Sequence, residues 1–319
     1  MKNYNHICFT ASIILCVLFF SHNANAQKDY LASQYNFNAL MLNPAYAGAH
    51  PYLQTSAMYR NQWSIEGAPT SQVLCADGLI PKSPVGVGLL ITSDKIGVVT
   101  ERTISADVSY HLRTNLGKLS FGLRAGHVSY SAALNELIYW DLNDPVYNSD
   151  NPKEGFMTLG FGAFFRANHG KWFGGISMPS YFARDHDLRS PLSPNERFYK
   201  RHYYAYGGGI ISVDNGFVLK PSVLIRYMEA SPVLVDINLH ALFYEQGPDG
   251  VQIWLGAGFR TSSTYLLSIE AKLPYNLRLG YSYDFAGKSL NQHLGSTHEI
   301  QLGFNFGGST TIIQNPRYF

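Results

Sequence analysis

The residues best suited to chemistry in this sequence lie in two polar stretches. The first contains Asp141, Asp144, Asp150 and Glu154, whose carboxylate oxygens could bind a hard cation such as Ca²⁺. Their spacing does not match the loop of an EF-hand, so we interpret this stretch as a solvated loop. The second stretch is a long connection rich in charges of both signs. Because long loops often carry function, we expect it to contact a partner protein through Arg184, Asp187, Arg189 and Arg197.

Motifs of the common enzyme classes are missing from the sequence. It contains no Gly-x-Ser-x-Gly elbow, no His-Glu-x-x-His and no P-loop. The Gly-x-Gly of residues 86–88 lies inside a predicted strand with no helix after it, so it does not indicate a nucleotide-binding turn. The histidines are scattered and indicate no metal site. We therefore expect a protein that is not an enzyme and that needs neither a cofactor nor a metal.

The N-terminus has the pattern of a secretory signal peptide. Lys2 is followed by a mostly apolar run from Ile7 to Phe20 and by the small-x-small site Ala24-Asn25-Ala26. A retained membrane helix needs roughly 20 apolar residues, so this run predicts a cleaved signal rather than an anchor. We expect the mature chain to begin at Gln27. Removing the signal leaves Cys75 as the only thiol, which excludes an intramolecular disulfide.

Composition narrows the class of protein. The net charge of +2, from 24 Lys and Arg against 22 Asp and Glu, gives no electrostatic reason to expect nucleic acid as a partner. Charged residues make up only 14% of the chain, against about 25% in ordinary soluble domains, and aromatic residues make up another 14%. Membrane β-barrels need aromatic girdles and an uncharged outer band. A secreted lectin or β-sandwich is the alternative.

Alternation with a period of two residues dominates the chain after the signal. Between Val233 and Phe243 every second residue is apolar, with Asp236, Asn238 and His240 on the other face. Similar patterns predict an all-β fold, a transmembrane antiparallel β-barrel of about 14 strands. The predicted strands lie near residues 52–63, 69–80, 84–93, 100–114, 117–131, 155–168, 170–179, 201–213, 216–228, 232–245, 250–261, 264–273, 275–286 and 296–308.

The connections and the charges add detail to this barrel. Short turns follow the even-numbered strands, whereas the longest connections, 132–154 and 180–200, follow odd-numbered strands, as in barrels with short periplasmic turns and long outer loops. Opposite charges lie close together on the polar faces, so they could pair across the lumen and leave little open channel. We predict a signal at 1–26, a periplasmic or plug segment at 27–51, the barrel at 52–308 and a tail at 309–319.

Several motifs resemble those of one family, the PorP/SprF proteins of type IX secretion, over essentially the whole mature chain. The resemblance is carried by Gln34-Tyr35, Leu42-Asn43-Pro44-Ala45-Tyr46-Ala47-Gly48, Tyr59-Arg60-Asn61-Gln62-Trp63, Gly67-Ala68-Pro69-Thr70, Asp94-Lys95-Ile96-Gly97, Gly280-Tyr281-Ser282-Tyr283-Asp284-Phe285 and His298-Glu299-Ile300. The residues that we take as the family signature are Asn43, Pro44, Ala45, Tyr46, Gly48, Arg60, Gln62, Trp63, Pro69, Asp94 and Gly97.

The resemblance implies an outer-membrane barrel that supports the export or surface retention of secreted proteins and, in some members, gliding motility. It implies partners among the type IX secretion components, including a peptidoglycan-binding lipoprotein, and among exported surface proteins, besides outer-membrane lipid. Two alternatives stay open from the residues alone. One is a transport channel for small or apolar solutes, and the other is an outer-membrane hydrolase, for which we find no catalytic constellation.

Elementary chemistry suggests a structure for the first signature stretch. Asn43-Pro44 favours a turn, and Gly48 permits backbone angles that other residues avoid. We therefore expect residues 27–51 to form a compact segment that plugs the barrel or lies at its periplasmic mouth. Tyr59 and Trp63 fall at the end of the first predicted strand, where an aromatic belt should contact the membrane interface.

Overall fold

In the computed structural model of the chain, the structure describes residues 32–35, 37–63, 65, 67–133, 153–185, 201–213, 217–229, 231–245, 250–287 and 295–306. Fourteen antiparallel strands form one closed barrel, which confirms the predicted fold class. The strands are β1 (Leu53–Asn61), β2 (Thr70–Leu79), β3 (Val85–Ile96), β4 (Val99–Arg113), β5 (Gly117–Ala132), β6 (Lys153–Ala167), β7 (Trp172–Asp185), β8 (His202–Gly209 and Ile211–Val213), β9 (Phe217–Met228), β10 (Leu234–Glu245), β11 (Gln252–Arg260), β12 (Thr264–Lys272), β13 (Leu277–Ala286) and β14 (Thr297–Phe306).

The sheet closes because the first and last strands pair with each other. Leu53 lies opposite Phe306 and Asn61 lies opposite His298 along the seam between β1 and β14. Every other strand pairs with its neighbours in sequence, and β8 counts as one strand because both of its segments pair with β9. Closure leaves no free sheet edge among the described strands, as a barrel in lipid requires.

The two faces of the wall are inverted relative to a soluble protein. Large apolar side chains such as Leu123, Ile176 and Phe243 are 68%, 64% and 72% exposed on the outside. Charged side chains such as Asp236 and Glu299 are fully buried on the inside. This arrangement fits a wall surrounded by lipid and excludes a sandwich with an apolar core between two sheets.

The connections are sorted between the two ends of the barrel as the sequence predicts. Even-numbered strands finish at one end, here called the turn end, and odd-numbered strands finish at the other, here called the loop end. The longest connections follow β5 and β7 and therefore belong to the loop end. Residues 134–152 and 186–200, which include Asp141, Asp144, Asp150, Asp187, Arg189 and Arg197, lie outside the described residues.

The structure corrects the predicted end of β7. The sequence predicts a loop from residue 180, but β7 continues to Asp185, so Arg184 lies in a strand opposite Met157 of β6. Pro179 suggested an end to the strand because proline cannot donate to a sheet. A register shift between Leu159 and Phe161 accommodates it, since the intervening Gly160 has no side chain to collide with the carbonyl of Pro179.

The ends of the chain fall outside the described part. The predicted signal peptide, residues 1–26, and the predicted tail, 309–319, are among the residues that the structure does not describe. Within the described ranges, no helix combines the length and the apolar character that a membrane crossing needs.

Candidate functional site in the barrel lumen

A stretch of chain before β1 lies inside the barrel, and we call residues 32–50 the lumen segment. Ser33 contacts Arg60 and Glu299, which lie beside the loop end of the wall. The carbonyls of Gly48 and Ala49 reach strand residues beside the turn end, and β1 begins there at Leu53. The lumen segment therefore runs from the loop end to the turn end through the middle of the barrel.

The lumen segment has little regular structure, for reasons that its sequence makes clear. Asn38 and Asn43 cap two short 3-10 turns by accepting the amide protons of Leu40 and Ala45. Pro44 occupies the first position of the second turn, where its missing N–H costs no hydrogen bond. Backbone groups without helix or sheet partners must find others inside a buried lumen.

Side chains of the wall supply those partners. Arg124 donates to the carbonyls of Leu40 (2.6 Å) and Met41 (3.3 Å), and Ser177 Oγ donates to Leu42 (2.7 Å). Gly48 N–H donates to Asp77 Oδ2 at 3.0 Å. Further hydrogen bonds from the wall end on the carbonyls of Phe37, Ala47, Gly48 and Ala49. The wall thus supplies hydrogen-bond partners to backbone groups along the lumen segment.

Close steric fit holds the part of the lumen segment nearest the turn end. Gly122 of β5 lies so close to the segment that a Cβ there would overlap the backbone of Pro44 and Ala45. Gly48 adopts φ +64°, and a side chain on it would meet Gly86 Cα at 2.6 Å. Only glycine satisfies both the backbone angle and the contact at residue 48.

Apolar side chains of the lumen segment pack against inward-facing apolar side chains of the wall. Tyr46 meets Phe164 edge-to-face with ring centroids 5.4 Å apart, and Phe164 stacks on Tyr206 at 6.0 Å. Leu40 is fully buried in the same cluster. The Tyr46 hydroxyl lies 3.1 Å from His50 Nε2.

Six buried charges line the wall near the loop end, and we call this set the charged arc. Arg226 Nη2 and Arg260 Nε both reach Asp236 Oδ1, at 3.2 and 2.9 Å. Asp284 Oδ2 lies 3.8 Å from Arg260 Nη1 and 2.9 Å from Arg60 Nη2. Arg60 Nη1 also lies 2.9 Å from Glu299 Oε2. The charged arc comprises Arg60, Arg226, Asp236, Arg260, Asp284 and Glu299.

The charged arc is neutral in sum, with three guanidiniums and three carboxylates, and it holds the start of the lumen segment. Glu299 accepts the backbone N–H groups of Ser33 (2.8 Å) and Gln34 (3.0 Å). The Ser33 hydroxyl donates to Asp284 and accepts from Arg60. Buried charges are tolerated only when paired and hydrogen-bonded, and these are both. The arc can therefore fix a chain segment.

A second charged group lies nearer the turn end. Arg278 Nη2 lies 3.2 Å from Glu270 Oε1, and Lys220 Nζ lies 3.7 Å from Glu270 Oε2. The Arg278 guanidinium also stacks over the ring of Phe37 with 4.1 Å to its centroid. The side chains that line the lumen thus bind the lumen segment and pack against it. Within the described ranges, no group of three or more His, Cys, Asp or Glu side chains could hold a metal ion.

Comparison with known protein families gives a match over most of the chain. Residues 24–304 match the family described as type IX secretion system membrane protein PorP/SprF. The chain belongs to the PorP/SprF family. It is therefore an outer-membrane protein of the type IX secretion system, with partners in that system.

Other comparisons give similarities at the level of architecture. This PorP/SprF chain is similar to the Acinetobacter baumannii outer membrane protein Omp33, with 8% identity, 81% of this chain and 100% of that chain covered, and a TM-score of 0.45. It is also similar to a Pseudomonas aeruginosa FadL homologue, with 12% identity, 85% and 94% coverage, and a TM-score of 0.46. No curated protein sequence matches it.

The PorP/SprF signature residues fall into two groups in the structure. The first group lies in the lumen segment. Asn43 is fully buried and donates to the carbonyls of Ala163 (2.9 Å) and Ile176 (3.2 Å) besides capping Ala45. Pro44, Ala45, Tyr46 and Gly48 follow it through the turn-end half of the barrel.

The second group lies at the loop end. Arg60 belongs to the charged arc. Gln62 N–H donates to the carbonyl of Pro69 at 2.9 Å, which closes the β1–β2 connection, and Gly97 N–H donates to Gly67 at 2.9 Å. Asp94 lies opposite Ser71 of β2, and Trp63 N–H reaches Thr297 Oγ1 at 3.3 Å. Tyr59 points outward and is 46% exposed.

Sequence reasoning missed several residues of the site. It did not identify the ion pair between Arg124 and Asp107 of the wall, whose Nε and Oδ1 atoms lie 2.7 Å apart. It also did not identify the contact of Ser33 with Arg60 at the start of the lumen segment. Asp236 was noticed only as a polar position between apolar ones. A charge at an inward position of an alternating strand is the signal that could have found Asp107, Arg124 and Arg226.

Proposed function

We propose that this PorP/SprF chain is an accessory or anchoring protein of type IX secretion. It would support the export or surface retention of secreted proteins, and also gliding motility in a cell that glides. Its partners would be periplasmic secretion components, including a peptidoglycan-binding lipoprotein, and exported surface proteins. The role is one of binding rather than catalysis.

One observation supports this proposal above the others. The lumen segment occupies the barrel from end to end, and wall side chains bond to it along its length. A barrel filled by its own chain is better suited to present surfaces than to pass solutes. The surfaces available to partners are then the loops and turns, including the connection with Arg189 and Arg197.

Affinity purification from intact envelopes tests the proposal. We expect the tagged protein to capture exported surface proteins or periplasmic secretion components, whereas an unrelated tagged barrel should capture neither. Arg189→Glu with Arg197→Glu should reduce capture of surface proteins. Lys82→Glu with Lys171→Glu, a matched charge change at the turn end, should leave that capture unchanged. Failure of the unmodified protein to capture either class would refute the accessory role.

Single-channel recording separates the accessory role from the alternative of a channel for small or apolar solutes. We expect no stable open current from the purified barrel in a planar bilayer, because the lumen segment is anchored at both ends. An open porin reconstituted in the same bilayer provides the positive control. A stable current from the full-length protein would favour transport.

We also propose that the signal is cleaved before Gln27, that the turn end faces the periplasm and that the loop end faces outward. N-terminal sequencing of the mature protein should begin at Gln27. In a Cys75→Ala background, an impermeant thiol reagent on intact cells should label Ser262→Cys at the loop end but not Asn115→Cys at the turn end. Equal labelling of the two would contradict the placement of the turns in the periplasm.

A further inference from the structure

Two cations stand on the outer wall of the barrel near the loop end. Lys95 of β3 lies opposite Thr100 of β4, and Arg102 lies opposite Ser93 of β3. Lys95 and Arg102 are exposed, while the intervening Asp94 and Glu101 occupy the inward register. The two cations are diagonal neighbours on one face, with backbones about 7–8 Å apart. Their long side chains can therefore reach one common ligand.

Hydroxyl groups surround this cation pair. Ser93 and Thr100 lie directly across from the two cations, and Ser129 of β5 lies opposite Arg102 on its other side. In the part of the chain that the structure describes, neither Lys95 nor Arg102 has an ion-pair or hydrogen-bond partner. Two free cations with adjacent hydroxyl donors form a surface complementary to a phosphate group.

An apolar groove of about 490 Å³ adjoins the pair on the same outer wall. It crosses β14, β1, β2 and β3, and its outward lining residues include Ala57, Tyr59, Leu74, Ile91, Ile300 and Leu302. Ser93, next to Arg102, also lines it. Since Ser93 lies closer to the loop end than Ile91, the groove descends from the cation pair toward the middle of the wall. The groove is open toward the membrane along one side, so a lipid acyl chain could lie in it.

Elsewhere around the barrel, the outer wall near the loop end carries aromatic side chains. At the loop end of β11, β12 and β13 the outer wall carries an aromatic row, with Phe259 and Tyr265 at 5.4 Å and Tyr265 and Phe285 at 5.6 Å between centroids. Tyr203 and Tyr227 form a similar pair at 5.6 Å on β8 and β9. Such rows are typical of a general membrane interface. The patch of Lys95 and Arg102 carries cations and hydroxyl groups where these rows carry aromatic rings.

We propose that this outer-wall patch binds a phosphorylated, multiply acylated lipid of the surrounding leaflet, with a phosphate on Lys95 and Arg102 and an acyl chain in the groove. With the loop end facing outward, as proposed above, that lipid is the lipid A part of lipopolysaccharide. A cation on the lipid face is costly at the membrane midplane but tolerated near the interface, which fits the position of both residues.

Native mass spectrometry of the detergent-purified barrel with added lipid A tests the proposal. The variant Lys95→Gln with Arg102→Gln should bind lipid A roughly 10- to 30-fold more weakly than the unmodified protein. Lys82→Gln with Lys171→Gln removes the same charge from exposed positions at the turn end and should bind normally. Heat-modifiable migration on gels confirms that every variant is folded.

Two further binding measurements test which parts of lipid A the patch recognises. Dephosphorylated lipid A should bind the unmodified protein weakly, and Ala57→Phe, which fills the groove, should reduce retention of lipid A while leaving the cations in place. Unchanged binding in the cation variant, or equal binding of the dephosphorylated lipid, would overturn the phosphate site. Displacement of lipid A by an equal concentration of phosphatidylglycerol would overturn the assignment to lipid A. An unchanged Ala57→Phe variant would remove the groove from the site.

Discussion

The two ends of the lumen segment are held by different kinds of contact. At the loop end, Ser33 and Gln34 are bound by the carboxylate of Glu299 within the charged arc. At the turn end, the segment from Pro44 to Gly48 fits against glycines of the wall with almost no space to spare. The first attachment depends mainly on paired charges, whereas the second adds a close fit of shape to hydrogen bonds with Asp77, Lys118 and Arg166.

This difference determines which changes each end should tolerate. A charge network can absorb small movements but fails when one member is removed, because its partners are left charged and buried. A close steric fit is insensitive to charge but is destabilised by even one added methyl group. Variants at the two ends should therefore differ in both the size and the kind of their effects.

The largest effect is expected at Arg60, which contacts both Asp284 and Glu299. Arg60→Met should lower the free energy of unfolding by about 3–5 kcal/mol, because two carboxylates lose a buried partner. Urea titration in detergent micelles, read from heat-modifiable migration, measures it. Arg60→Lys keeps the charge and should recover part of the loss. Equal losses in the two variants would show that guanidinium geometry, rather than charge, holds this end.

A smaller effect is expected at Gly122. Gly122→Ala should cost roughly 1–3 kcal/mol, because the added methyl group must displace the backbone of Pro44 and Ala45. Gly174→Ala is the matched control, since its added Cβ would lie 3.5 Å from the nearest atom, an ordinary contact. The same urea titration applies. If the two alanine variants are equally stable, the close fit of the turn-end half is not what retains the segment.

The smallest effect is expected at Tyr46, which adds one hydrogen bond to a contact made mainly by shape. Tyr46→Phe keeps the ring against Phe164 and removes only the bond to His50, so it should cost about 1 kcal/mol. Tyr265→Phe, on the outer wall, should be close to neutral. A loss at Tyr46 as large as that at Gly122 would mean that polar contacts, rather than fit, dominate this half.

Much of the wall could be predicted from the sequence because alternation is a local property. The run from Val233 to Phe243 shows which residues face lipid without any knowledge of the neighbouring strands. The short turns after even-numbered strands were visible for the same reason. The end of β7 was misjudged because the register shift opposite Pro179 depends on Gly160, which is distant in sequence.

The interior of the barrel was harder to predict because its partners are set by barrel closure. Arg278 and Asp284 carry opposite charges and lie close together in the sequence, on the same strand. In the structure Arg278 contacts Glu270, while Asp284 contacts Arg60 and Arg260. The path of the lumen segment has no periodic signal at all. Asn43-Pro44 indicates a turn, but only the wall decides that this turn lies inside the barrel.

The position of Arg60 beside the barrel seam also has a consequence for the order of assembly. Arg60 of β1 and Glu299 of β14 are 239 residues apart in sequence and lie directly opposite each other where the sheet closes. Ser33 and Gln34 bond to the same carboxylate, so the final strand pairing and the docking of these two residues share one set of atoms. Contacts so distant in sequence form late and slowly. We expect the seam between β1 and β14 to close only after Ser33 and Gln34 have entered the lumen. Entry of the lumen segment would then determine when the barrel closes.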